Sequence, residues 1–309
     1  MSTHVESRTR SSERPTREAI ERQTRPQVGL AFGLVGIGVG LAVVALLGPF
    51  AAGVIDYHVT ETLRNQTIGL DAVSLLFVAP LSVVAALLVA RRHVAGAALG
   101  LGIGAYTTYM LVQYVLGPEY ERLPGNNERL FPLYLLLFVL GWLVAIGAWN
   151  SFDATPRSRR RDLLIGRVVL PLLAFFAFFR YVPALADWMS SSPEDPGYLA
   201  GPTFSWAIAL LDLGVFLPAT VAACFGLVRG VPWAYKALYT VVGWFGLVGL
   251  AVAAMAIAMF ANDDPNASGA NVILMTALGL VFAALAIFLY RALFRPDEDA
   301  PLTPRGVGH

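Results

Sequence analysis

The sequence predicts an all-α protein, a polytopic transmembrane bundle of about eight helices. Three observations predict it. Of 309 residues, 57% are hydrophobic and 14% charged, against about 25% charged in soluble domains. The charges gather in short clusters separated by apolar runs of about 20 residues, which is the length that crosses a hydrocarbon core of about 30 Å. Basic residues also favour alternate connections, as expected of a chain threaded back and forth through a bilayer.

Taken in order, residues 1–26 are polar, rich in Arg, Glu, Ser and Thr, and lack apolar periodicity, so they read as a disordered cytoplasmic tail. Apolar spans are expected at 27–48, 70–90, 94–116, 130–150, 164–186, 203–228, 234–260 and 270–293. Residues 27–293 thus form one eight-span transmembrane domain, with a second cytoplasmic tail at 294–309. The first apolar run is longer than the h-region of a secretory signal, so it is expected to be retained. Trp149, Trp188, Trp206 and Trp233 fall near span ends, where an indole keeps its ring in the acyl region and its N–H wet. Trp142 and Trp244 fall deeper and read as packing residues.

Charge sets the orientation. With the N-terminus inside, the inner segments hold 18 basic and 9 acidic residues, and the outer segments 4 basic and 11 acidic. The positive-inside rule then puts both termini in the cytoplasm of a plasma-membrane protein. "PLSVVAALLVAR" at 80–91 and "PATVAACFGLVR" at 218–229 align at an offset of 138, pairing Pro80 with Pro218, Ser82 with Thr220 and Arg91 with Arg229. At that offset the chain divides into a candidate 4+4 repeat whose halves run the same way through the membrane, an arrangement known in some transporters.

Asp212, in "ALLDLGVFLP", is the sharpest single residue. It lies about 13 Å below the outer end of span six at about 1.5 Å per residue. A carboxylate there costs about 2.5–3.5 kcal/mol unless paired, hydrated or protonated. Arg180, about 9 Å deep in the antiparallel span five, is its expected ion-pair partner. Asp71 opens span two and reads as a cap at the outer rim, where a carboxylate suits the helix dipole. Tyr106, Tyr109 and Gln113 form one stripe along span three. A polar stripe inside a membrane must face other helices or a cavity, because lipid offers no hydrogen-bonding partners. Together these residues suggest an outward-facing polar cavity beneath the acidic outer loops.

The first outer loop, "IDYHVTETLRNQTIGLD" at 55–71, adds His58 and Glu61. A histidine titrates near neutral pH, and the two would share a face if the loop were helical, so they are the candidate acid–base pair of an outer-face enzyme. No nucleophile accompanies them, which weighs against an enzyme. The four His and single Cys are not in metal-ligand spacing, and Cys224 inside an apolar run reads as a small core filler. "GLGIGAY" at 100–106 carries close glycines, but it lies within a membrane span and means helix packing rather than a nucleotide loop. The sequence points to no cofactor and no nucleic-acid partner, and leaves the oligomeric state open. The partners it implies are the lipid bilayer and a small solute.

"GLDAVSLLFVAPL" (69–81), "AYTTYMLVQYVLG…LFPLYLLLF" (105–138) and "LLDLGVFLP" (210–218) resemble a loosely defined group of uncharacterised prokaryotic multi-pass membrane proteins. The likeness covers most of spans two to four and six. It implies an α-helical plasma-membrane protein and carries over no activity or site residue. Three readings stay open: a transporter-like or ligand-sensing bundle, an outer-face enzyme, and a structural or accessory membrane subunit.

Overall fold

The computed structural model describes residues 17–152 and 159–294, with side chains from residue 27 in the first helix and from residue 166 in the fifth. Residues 1–16, the arginine-rich stretch at 153–158 and the tail at 295–309 lie outside the described residues, as do the side chains of Arg159, Arg160 and Arg161. Among the described residues there is no strand, and eight helices are long and apolar enough to cross a membrane. They are α1 Arg17–Leu47, α2 Glu61–Ala90, α3 Val94–Leu116, α4 Asn127–Ser151, α5 Arg159–Trp188, α6 Pro202–Val228, α7 Pro232–Ala261 and α8 Gly269–Phe294. Each expected span corresponds to one helix.

Two starts differ from expectation. Helix α1 begins at Arg17, inside the stretch read as a tail. Helix α2 begins at Glu61, so residues 61–69 are helix and not loop. Their polarity hid them from a hydropathy reading, but it has a use in the fold. The buried Thr62 and Asn65 donate to Asp264 at 3.2 and 3.0 Å, tying α2 to the α7–α8 connection. A polar turn whose groups find partners need not stay in water.

Helices α3 and α7 form the centre. The most apolar window of α3 is 78% buried and that of α7 56%, against 17% for α5 and α6 and 11% for α8. Small residues let the central pair approach, and Gly102 meets the backbone of Gly243 where they cross. Around α3, helices α1, α2 and α4 close a ring, each packed on its neighbours. Around α7, α6 and α8 pack closely, α5 lies along α6, and α5 meets α8 through the rings of Phe176 and Phe282. Trp244 is buried as expected. Trp142 is not a packing residue: it is 49% exposed on the outer face of α4, turned to where lipid lies.

Helices α2 and α6 each contain one π turn, Ser74–Val78 and Asp212–Phe216. Pro80 and Pro218 explain them. A proline inside a helix lacks an N–H and presses its ring on the carbonyl four residues earlier, and one extra residue per turn relieves both faults. The bounds of the two turns differ by 138 (74 to 212, 78 to 216), as do those of the segments that follow, Ala79–Ala90 and Leu217–Val228.

Candidate functional site

Asp212 opens the π turn of α6. Its Oδ1 accepts the hydroxyl of Tyr109, on α3, at 2.8 Å, and its Oδ2 accepts that of Tyr181, on α5, at 2.6 Å. Both tyrosines are buried. The carboxylate is therefore held by two neutral donors from two other helices, each bond to a charged group contributing about 1.5–3 kcal/mol. The expected Arg180–Asp212 ion pair is not formed: no carboxylate lies within 4 Å of Arg180 among the described residues. Successive helical residues point about 100° apart, so once Tyr181 faces α6 its neighbour Arg180 faces outward. The guanidinium lies over the Tyr181 ring, 5.5 Å from its centre.

Arg180, Tyr181 and Asp212 line one cavity of about 40 Å³ between α5, α6 and α7, enough for one or two water molecules. Its floor is aromatic, with Phe216 stacked on Trp244 at 3.5 Å between ring centres and Tyr109 edge-on to both. The indole N–H of Trp244 is buried without a partner.

Asp71 is not a rim cap. Because α2 starts at Glu61, Asp71 sits inside that helix, and it is fully buried. Its Oδ1 accepts the Tyr114 hydroxyl at 2.7 Å, while its Oδ2 has no hydrogen-bonding partner. Tyr114 is stacked between Tyr57 and Tyr134, at 5.3 and 5.8 Å, and the hydroxyls of those two lie 3.4 Å apart. One turn along, Ser74 meets Tyr106 at 3.2 Å.

The expected stripe on α3 thus serves three places, because α3 is wedged between α2 and α6. Tyr109 turns to Asp212 and Tyr106 to Ser74. Gln113 is buried, its amide 3.8 Å from the sulfur of Met110, beside a void of about 20 Å³ shared with Gln66, Thr67 and Phe204. The structure brings together Asp212, Tyr109 and Arg180, and separately Asp71 and Tyr106. Tyr181 and Tyr114, the residues that bind the two carboxylates most closely, were missed as site residues. Their signal was a polar aromatic beside Arg180 in "FFRYVP" and beside Gln113 in "LVQYVL".

His58 and Glu61 do not form a pair. His58 donates from Nδ1 to the Leu123 carbonyl at 2.6 Å, and its Nε2 meets Glu128 Oε2 at 2.9 Å. Both partners are acceptors and favour the doubly protonated ring, and these contacts, the carbonyl first, raise its pKa above the ordinary value. Glu61 is exposed at the first turn of α2. The histidine instead joins the α1–α2 connection to the α3–α4 connection. Asn126 joins them as well, through its Oδ1 to the Asp56 N–H and its Nδ2 to the Val54 carbonyl. A ring with both nitrogens engaged is poorly placed to act as a base.

No protein-family description, no curated protein and no solved structure matches this chain. Among the described residues no group of three or more His, Cys, Asp or Glu could hold a metal ion. What the chain can do therefore has to be argued from its own geometry.

Proposed function

We propose that the chain is a transporter-like or ligand-sensing bundle of the plasma membrane, with both termini cytoplasmic and its solute site at Asp212. One observation carries this reading: a carboxylate held within span six by Tyr109 and Tyr181 lines a cavity with an arginine that has no carboxylate within 4 Å among the described residues. Opposite charges held apart suit a small zwitterion, its ammonium on Asp212 and its carboxylate toward Arg180. The cavity is narrower than such a solute, and α5 is the element that would move outward to admit it. That helix packs chiefly on α6 and contains two prolines, Pro171 and Pro183. The basic inner and acidic outer connections support an outward-facing cavity. The matching π turns support a parallel 4+4 repeat, with Asp212 on the side of α6 that meets the other half through Tyr109.

The test uses the purified full chain in lipid nanodiscs, melted with and without a panel of zwitterionic amino acids. At least one should raise the melting temperature, and Asp212→Asn and Arg180→Gln should each abolish the rise. No shift with any of them, or a shift that survives both substitutions, overturns the reading. The enzyme alternative based on His58 and Glu61 loses its base to Leu123 and Glu128.

A further inference from the structure

The Asp71 cluster lies in the other half, away from the Asp212 cavity, and has no part in the solute site. Asp71 is fully buried, with one oxygen bonded to Tyr114 and the other without a partner. That second oxygen lies against the backbone at Gly48, where an added Cβ would stand only 2.5 Å from it. Ser74, at the adjoining turn, is used by Tyr106. The titratable groups around Asp71 are Tyr114 and Tyr106 from α3, Tyr134 from α4 and Tyr57 from the first outer loop. They are all phenols, and no cation acts on the carboxyl group. Gly48 faces it from just past the C-terminal end of α1, and α7 approaches α2 through the backbone of Ala254 and Met255.

An ionised carboxylate cannot keep one oxygen unpartnered in such a place without a large cost, because a buried charge must be paired and fully hydrogen-bonded. Among the described residues there is neither a cation nor a second donor at this carboxyl group. A neutral acid needs much less: its Oδ1 keeps the Tyr114 hydrogen bond, and the proton on Oδ2 removes the charge. The contrast with Asp212, which has a donor on each oxygen and an arginine nearby, falls on this point.

We propose that Asp71 is a proton-binding site, a carboxyl group of α2 that holds one proton on Oδ2 within the folded bundle. Ionisable groups inside membrane spans commonly serve proton-linked movement, and α3 connects the two carboxyls by offering Tyr114 to one and Tyr109 to the other. The site stands whether or not Asp212 binds a zwitterion.

Infrared spectroscopy of the full chain in nanodiscs at neutral pH tests it. A protonated carboxyl gives a C=O stretch separate from that of carboxylates, and it shifts in deuterated water. The band should be present in the wild type, absent in Asp71→Asn and retained in Asp212→Asn. Tyr114→Phe should move it, by removing the hydrogen bond to the carbonyl oxygen. If Asp71→Asn does not fold, Asp71→Glu and Tyr114→Phe each still have to move the band. Absence of the band from the wild type overturns the proposal, as does a band that ignores the Asp71 and Tyr114 variants or disappears in Asp212→Asn. The amino-acid melting shifts depend on Arg180 and Asp212, so either proposal can fail without the other.

Discussion

Helices α1–α4 and α5–α8 each hold one carboxyl group beside a π turn, and they enclose it differently. In α1–α4 the ring is closed, and the carboxyl group of α2 is sealed beneath stacked tyrosines with one oxygen unpartnered. In α5–α8 the corresponding edge is loosely closed. The carboxylate of α6 has a donor on each oxygen, and a cavity reaches it. The π turns stand at matching places, so the helix geometry does not make the difference. Closure of the ring does: α1 packs along α4, whereas among the described residues α5 and α8 meet only weakly, through the rings of Phe176 and Phe282. A helix held on one side can move, and a carboxylate beside a movable helix can meet a solute.

The largest expected effects probe the sealed half. Gly69 of α2 is in contact with the backbone of Ala254 and Met255, and any Cβ there would overlap it. Gly69→Ala should therefore cost about 3 kcal/mol or abolish folding, since backbone cannot step aside as a side chain can. Gly48→Ala should cost about 1–3 kcal/mol by pressing on Asp71. In the open half the residues 138 further on are already alanines, Ala207 and the exposed Ala186. Ala186→Gly should cost only its helix propensity, about 1 kcal/mol. Melting temperatures of the three variants check the series, and equal losses in both halves would break the comparison.

Next come the tyrosines. Tyr114→Phe leaves the Asp71 carboxyl group with no side-chain partner and should cost about 2 kcal/mol. Tyr181→Phe leaves Asp212 with Tyr109, the field of Arg180 and access to water, and should cost about 1 kcal/mol. Chemical unfolding in detergent would measure both. A larger loss at Tyr181 than at Tyr114 would mean that the second half is the better sealed one.

How much of this could be read from the sequence differs between fold and site. Span number and most span ends followed from the apolar runs, because hydrocarbon thickness fixes helix length almost regardless of side-chain detail. The start of α2 did not, because Thr62 and Asn65 are satisfied by Asp264, 199 or more residues away. That error alone moved Asp71 from the interior to the rim. At the site, Asp212 stood out as a charge in an apolar run, whereas its partners did not. Charge alone selects Arg180 as the partner of Asp212. The choice between neighbours on a helix, however, is made by which of two directions about 100° apart faces α6, and that is a tertiary fact.

A smaller effect should come from the outer clamp that covers the sealed half. The folded-state pKa of His58 lies above its ordinary value of 6.5 because the Leu123 carbonyl and then Glu128 favour the protonated ring. A raised folded pKa adds stability that is fully present below the unfolded pKa and is lost as pH rises through the folded one. The wild type should thus lose melting temperature as pH climbs above about 6.5, and His58→Gln should flatten that slope. A wild type that instead gains stability over this window would contradict the clamp. Asp56 and Arg64 pair nearby at 3.1 Å.

The smallest expected change is the most discriminating for the open half. Arg180 is exposed, touches the Tyr181 ring and has no carboxylate within 4 Å among the described residues. Arg180→Gln should therefore alter stability by no more than about 0.5 kcal/mol, as surface changes away from a packed feature do. Asp212→Asn disturbs two tyrosine hydrogen bonds and should cost more. Combined, the two should be additive within about 0.5 kcal/mol, because residues joined only through solvent and field couple weakly. A coupling well above that would restore the direct ion pair and place the guanidinium on the carboxylate in the membrane. In that case the arginine would serve the fold, and a zwitterion would find the charge on Asp212 already neutralised.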